Sequence, residues 1–83
     1  MHKRIGILGG LSPESTVAYY QYLTREYVRR YGNYGYPEII IYSVSFQKYL
    51  DWWAEDRWGE IAGDMILAAR ALEQAGADFG IIA

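Results

Sequence analysis

The run Ile5-Gly6-Ile7-Leu8-Gly9-Gly10-Leu11-Ser12-Pro13-Glu14-Ser15-Thr16 restricts this chain more than any other stretch of it. Ile5, Ile7 and Leu8 make a short apolar run of the kind needed by a strand covered on both faces, which predicts β structure over Arg4–Leu8. Gly9 and Gly10 permit a turn that side chains would resist and allow a close approach to the main chain. Ser12 suits a helix N-cap, Pro13 the first helical position, and Glu14 adds a negative charge to the first turn. Strand, turn and helix start follow with no residue between them to spare. The unpaired N–H groups of such a turn form a natural site for a carboxylate or a phosphate. The glycines do not make the G-x-G-x-x-G of a dinucleotide site, and no lysine follows as in a phosphate-binding loop, so the anion stays unnamed at this point.

The remaining sequence extends the same alternation. Helical spacing predicts a first helix over 13–31, with Val17, Tyr20, Leu23, Tyr27, Val28 and Tyr31 on one stripe and Gly32 as its stop. Ile39-Ile40-Ile41-Tyr42 predicts a second strand, continuous in hydrophobicity and therefore parallel and covered on both sides. Ser43 and Ser45 follow at its C-terminal end, where open parallel sheets bind ligands; local serine-to-backbone bonds are the alternative reading. Residues 46–58 carry Phe46, Tyr49, Leu50, Trp52, Trp53 and Trp58 among charges and predict a short helix leading into the next. Those aromatics read as a partner-facing surface, with the core of a completed domain or a lid as alternatives. A second long helix is expected over 57–75, burying Trp58, Ile61, Ala62, Met65, Ile66, Ala69 and Leu72, with Arg70 and Glu73 paired on its surface and Gly76 as its stop. Phe79-Gly80-Ile81-Ile82-Ala83 predicts a third buried strand.

The order β-α-β-α-β is part of a doubly wound parallel α/β sheet. Right-handed crossovers allow the strand orders 2-1-3 and 3-2-1, and 2-1-3 is expected here because the first strand is the most apolar around its turn. The last strand has no helix after it to cover the sheet, so residues 1–83 read as an incomplete N-terminal α/β domain.

Composition narrows the function. A net charge of −2 argues against a nucleic-acid surface. The absence of cysteine leaves no disulfide framework, and His2, the single histidine, makes a metal site improbable on ligand supply. The start Met1-His2-Lys3-Arg4 leads into a run broken by glycines with no small-residue cleavage site, and no apolar run reaches the ~20 residues of a membrane span, so the reading is a cytoplasmic protein without a membrane partner.

The run from Ile5 to Thr16 with Tyr19-Tyr20 resembles the opening of the aspartate/glutamate racemase family, in its aspartate-racemase branch. Tyr42-Ser43-Val44-Ser45-Phe46 resembles that branch's second strand tip, and Trp58-Gly59-Glu60 with Ala69 through Phe79 resembles the helix and strand before its first catalytic motif. The resemblance implies a cofactor-independent amino-acid racemase of two similar α/β domains facing a cleft. In it one cysteine thiolate removes the α-proton and a second thiol returns one from the other face. The family's first cysteine opens a Cys-Asn-Thr motif at the tip of strand three, and Ile81-Ile82-Ala83 lies just short of it, so no catalytic residue carries over. The substrate wall does carry over: Gly10, Leu11 and Ser12 match the turn lining the cleft, and Ser43 and Ser45 match the strand tip. Related glutamate racemases have Asp-Ser where this chain has Gly9-Gly10. Some aspartate racemases carry an arginine where this chain has Leu50, with Lys48 and Arg57 the nearby cations. Aspartate or glutamate is the implied substrate, with no cofactor. The open sheet edge and the apolar surface of Trp52, Trp53 and Trp58 independently point to a homodimer or higher self-association. The alternatives are a nucleotide-binding α/β domain using the Gly9-Gly10 turn, and a non-catalytic module that oligomerises through its aromatics.

Overall fold

The computed structural model describes residues 3–83; His2 lies outside them. Its elements are β1 (Ile5–Gly9), α1 (Pro13–Tyr31), β2 (Ile39–Ser43), α2 (Phe46–Ala54), α3 (Trp58–Gln74) and β3 (Phe79–Ile82). The three strands form one parallel sheet in the order β2-β1-β3, as expected. Ile7 of β1 sits between Ile41 of β2 and Ile81 of β3, and Gly9 is level with Ser43.

Alternation along β1 sorts the layers. A Cβ on Gly6 would lie 3.0 Å from the Ala77 Cβ and 3.4 Å from Leu72, so Gly6 and Leu8 face α3. A Cβ on Gly9 would meet Thr16, so Ile5, Ile7 and Gly9 face α1. Helices therefore lie on opposite faces of the sheet, as right-handed crossovers to opposite sides of β1 require. The core sits on the α3 face: Leu8, Val44, Tyr49, Ala68 and Leu72 are buried together, with Leu11, Ile40, Trp52, Ile61, Met65 and Ala77 packed around them. On the other face Ile7 is fully buried beneath α1.

At the opposite end from the glycine turn, Arg4 joins all three strand starts. Its N–H donates to the Asp78 carboxylate at 2.7 Å, its carbonyl accepts from the Asp78 N–H at 2.9 Å, and its guanidinium reaches Glu38 at 3.3 Å. The Glu38 pair is solvent-exposed and contributes less than about 1 kcal/mol.

Several expectations about burial do not hold. Every residue of β1 is buried, but β2 and β3 are edge strands with mostly exposed residues, because each has a neighbour on one side only. The α1 stripe is likewise uncovered: Val17, Tyr20 and Tyr31 are exposed and Thr16 is the helix's buried residue. At 19 residues α1 is about 28 Å long, against roughly 17 Å for the five residues of β1, so its C-terminal half overhangs the sheet. That half is tied locally, where Arg29 and Arg30 clasp Glu26 and their hydrogen bonds hold its carboxyl down at about 2.

As expected, the aromatic segment forms a short helix, α2, that leads into the longer α3, and a tight turn separates them in which the Arg57 N–H donates to the Trp52 carbonyl at 2.8 Å. The face that α3 buries is rotated from the expected one. Ala68 and Leu72 are buried and Asp64 is half-buried, while Ala62, Ile66, Ala69 and Trp58 are exposed. The reason is α2: it packs Tyr49 and Trp52 against α3 and draws that side of the helix inward. The far side borders a groove of about 410 Å³ between α3 and β3, lined by Ile66, Ala69, Leu72, Phe79 and Ile82 among others. Arg70 and Glu73 are not paired. The aromatics divide: Tyr49 joins the core, Trp52 packs beside it, and Trp53 stacks edge-on with Trp58 at 4.7 Å in solvent.

Leu72 is the residue on which β1 and α3 close. Leu72→Ala is expected to lower stability by about 2–3 kcal/mol, the low end for such a truncation because the adjoining groove admits water to the space left. Urea unfolding followed by tryptophan fluorescence measures this; a shift of the midpoint below the equivalent of 1 kcal/mol would contradict the packing role.

Candidate functional site

The C-terminal ends of β1 and β2 are adjacent, so the glycine turn and the two serines meet there by register alone. The Val44 N–H donates to the Gly9 carbonyl at 2.8 Å, continuing the ladder one step past β2. Gly10 then turns with φ +96°, and a Cβ on it would stand 2.4 Å from the Val44 carbonyl oxygen and 2.8 Å from the Ser43 Oγ. Glycine is required by both the dihedral and the space. This contact brings Gly10 and Ser43 together directly.

Thr16, one turn into α1, closes the turn from the inside. Its hydroxyl accepts from the Gly10 N–H at 3.1 Å and donates to the Ser12 carbonyl at 3.2 Å, and the Thr16 N–H donates to the same carbonyl at 3.0 Å. Ser12 is the N-cap as expected, in extended conformation, accepting from the Ser15 N–H at 3.4 Å. These bonds correct the expected anion site in one respect. The Gly10 N–H is already used by the chain, and the open donors are the N–H groups of Leu11, Ser12 and Glu14, since Pro13 has none. The Leu11 side chain packs onto the core.

Ser45 has a different character. It is the N-cap of α2, in extended conformation, with no side-chain capping bond. Ser43 and Ser45 are both exposed, on either side of the buried Val44. Of the five residues assigned to the wall, Gly10, Leu11, Ser12, Ser43 and Ser45 all lie at this one end of the sheet, with Gly10 and Ser43 in contact and Ser45 at the start of the next helix.

A second polar group fixes α2. The Tyr49 hydroxyl donates to Asp64 Oδ2, and Lys48 Nζ approaches Asp64 Oδ1 at 2.9 Å. Burial, and then Asp64, push the Tyr49 phenol well above its ordinary range, and the Tyr49 and Lys48 hydrogen bonds hold the Asp64 carboxyl below its own. Both shifts run opposite to what a proton-transfer group near neutral pH needs. The hydrogen bonds of this pair and of Lys48 join α2 to α3. Neither Thr16 nor Asp64 was singled out from the sequence. The Ser12–Thr16 spacing is an ordinary first-turn spacing, and Asp64 interrupts an otherwise apolar stripe, a signal visible only once α2 supplies its partners.

Among the described residues no group of three His, Cys, Asp or Glu side chains could hold a metal ion, and no helix is long and apolar enough to cross a membrane.

No family model matches the chain. Solved structures do. A protein from Yersinia pestis assigned as an Asp/Glu racemase superposes with a TM-score of 0.90 and 32% identity over 98% of this chain. An aspartate racemase homologue from Pyrococcus horikoshii superposes with a TM-score of 0.81 and 40% identity, again over 98% of this chain. The chain spans 35% of the length of each.

Two measurements check this geometry. Gly10→Ala is expected to cost roughly 2–4 kcal/mol through its dihedral and its clash with Val44, whereas Ser12→Ala, losing a long and exposed capping bond, costs about 0.5 kcal/mol. Comparable losses in urea would contradict the assignment of the turn to steric closure. For Asp64, whose carboxyl is held below the ordinary 3.8, stability is present above that pH and is lost as pH falls through the lower folded-state value. Acid unfolding followed by circular dichroism should therefore be shallower below about pH 4 in Asp64→Asn than in the parent, with Glu26 supplying the residual acid limb of both.

Proposed function

We propose, for a chain that carries the fold of the aspartate/glutamate racemases over nearly its whole length, that its glycine turn and second strand tip form one wall of an amino-acid racemase site. The observation that carries this reading is the contact of Gly10 with Ser43 and Val44. It supports a strand-end edge in which Gly10, Leu11, Ser12, Ser43 and Ser45 act together, at the end of a parallel sheet where such folds bind small ligands. The open N–H groups of Leu11, Ser12 and Glu14, at the positive end of α1, suit a carboxylate. The wall has no lysine and no glycine cradle for a polyphosphate, which favours an amino acid over a nucleotide.

The reaction in this reading is cofactor-independent α-proton transfer between two thiols, in the cytoplasm. The 83 residues contain no cysteine, so they orient the substrate and do not move its proton. Tyr49 and Asp64, the groups with shifted pKa values nearest the site, are committed to each other. Self-association belongs to the same proposal: both sheet edges, on β2 and β3, are unpaired, and Trp53 and Trp58 stand in solvent.

Amide chemical shifts of the purified chain test the wall. Amino acids should perturb Gly10, Leu11, Ser12, Ser43 and Ser45, and ATP or NAD should not; the reverse pattern would move the site to nucleotides. Incubation with aspartate or glutamate in D2O should give no α-proton exchange, and measurable exchange would show a proton-transfer group outside the proposed pair. Light scattering should give a mass above that of the 9.6 kDa monomer, and a monomer at high concentration would refute self-association.

A further inference from the structure

Helix α3 has a second apolar face that its own core does not use. Ala68 and Leu72 are buried against the sheet, and Asp64 is held by Tyr49 and Lys48 of α2. On the opposite side Gly59, Gly63 and Ile66 recur at helical spacing, flanked by Ala62 and Leu67. All are exposed, Ile66 at 52% and Leu67 at 64%. Between Glu60 and Arg70 the helix has one charge, Asp64, so its outward face is uncharged over residues 61–69. The outward face of a surface helix ordinarily carries its charged residues.

The glycines are a second anomaly. A Cβ on Gly59 or Gly63 would meet no atom within 4 Å, so nothing inside the chain requires them to be small. Glycine inside a helix nevertheless lowers its stability relative to alanine. A backbone approaching from outside accounts for them. Further helices of a doubly wound domain would not supply it, because they lie beside α3 in its own layer, against the sheet, and leave the outward face open.

The charges bordering this face select the partner. Arg70 and Glu73 stand at its C-terminal end, and among the described residues neither has an ion pair. Arg57 and Glu60, paired with each other at 3.2 Å, stand at its N-terminal end. An antiparallel second copy that sets its Ile66 over Gly63 brings Arg70 near Glu60 of that copy and Glu73 near its Arg57, and a two-fold axis repeats both pairs. We infer that two copies of this chain associate through the outward face of α3, as an antiparallel helix pair closed by a two-fold axis. The inference rests on the self-association proposed above and gives it a surface other than the sheet edges, which at five and four residues are short templates for strand pairing. Glycine at the crossing sets the helix axes at the near end of the usual separation, about 8 Å.

Sedimentation equilibrium over a range of concentrations tests the surface. The parent chain should fit a monomer–dimer equilibrium whose limiting mass is twice 9.6 kDa. Gly63→Leu should weaken dimerisation at least about tenfold with the circular dichroism unchanged. Gly63→Ala should raise the urea midpoint of dilute chain and still weaken the dimer, an opposition that a glycine serving only its own helix would not show. Arg70→Glu should weaken the dimer about tenfold, and adding Glu60→Arg should restore most of the loss. A parent chain that stays monomeric at high concentration overturns this inference together with the self-association it rests on. A dimer untouched by Gly63→Leu overturns the α3 surface alone, and one that Gly63→Leu disrupts but Arg70→Glu does not overturns the antiparallel pairing.

Discussion

The structure depends on β1 being hydrogen-bonded along both edges and covered on both faces. Its five residues are all buried, whereas no residue of β2 or β3 is. A central strand pairs every main-chain donor and acceptor while burying side chains in both directions, the most favourable use of a short apolar run. Because β2 and β3 both pair with β1, their C-terminal ends fall beside its own, and the glycine turn, Ser43 and the end of β3 come to one side of the molecule. The candidate site follows from that register.

The glycines have two tasks in this arrangement. Gly6 lets α3 approach the sheet, its missing Cβ occupied by Ala77 and Leu72. Gly10 lets the turn lie on Val44, and Thr16 then takes up the N–H that this geometry would otherwise leave without a partner in a buried position. The turn is thus braced from within before any ligand arrives. Pinning α2 to α3 through Tyr49, Asp64 and Lys48 extends the bracing to the other side of the site, since α2 starts at Ser45. A wall whose two halves are fixed by the chain's own bonds can present neutral donors in set positions, and preorganised donors of this kind lose less on binding.

Much apolar surface nevertheless stays uncovered. Val17, Tyr20 and Tyr31 on α1 and Phe79 and Ile82 on β3 are all exposed. In doubly wound sheets such surfaces are covered by further strands and helices, and the solved structures that superpose here are about three times as long as this chain, which spans 35% of each.

What the sequence determined by itself was whatever depends on near neighbours in the chain. The bounds of α1, with Ser12 before it and Gly32 after it, came from capping chemistry within a few residues. The strand positions, the parallel sheet and the glycine turn came from run length and from dihedrals that only glycine adopts freely, and three short motifs sufficed to suggest the racemase resemblance. The tertiary structure alone decided three things. It decided which side of each apolar stripe is buried, since α3 turns its Asp64 side inward only because α2 offers Tyr49 and Lys48 to it. It decided that the Gly10 N–H is taken, by a hydroxyl six residues away. It decided that both cations near the strand tip are already paired. Each of these is a matter of pairing between groups brought together by the fold, and residue types along a single chain do not state which donor meets which acceptor once several are within reach.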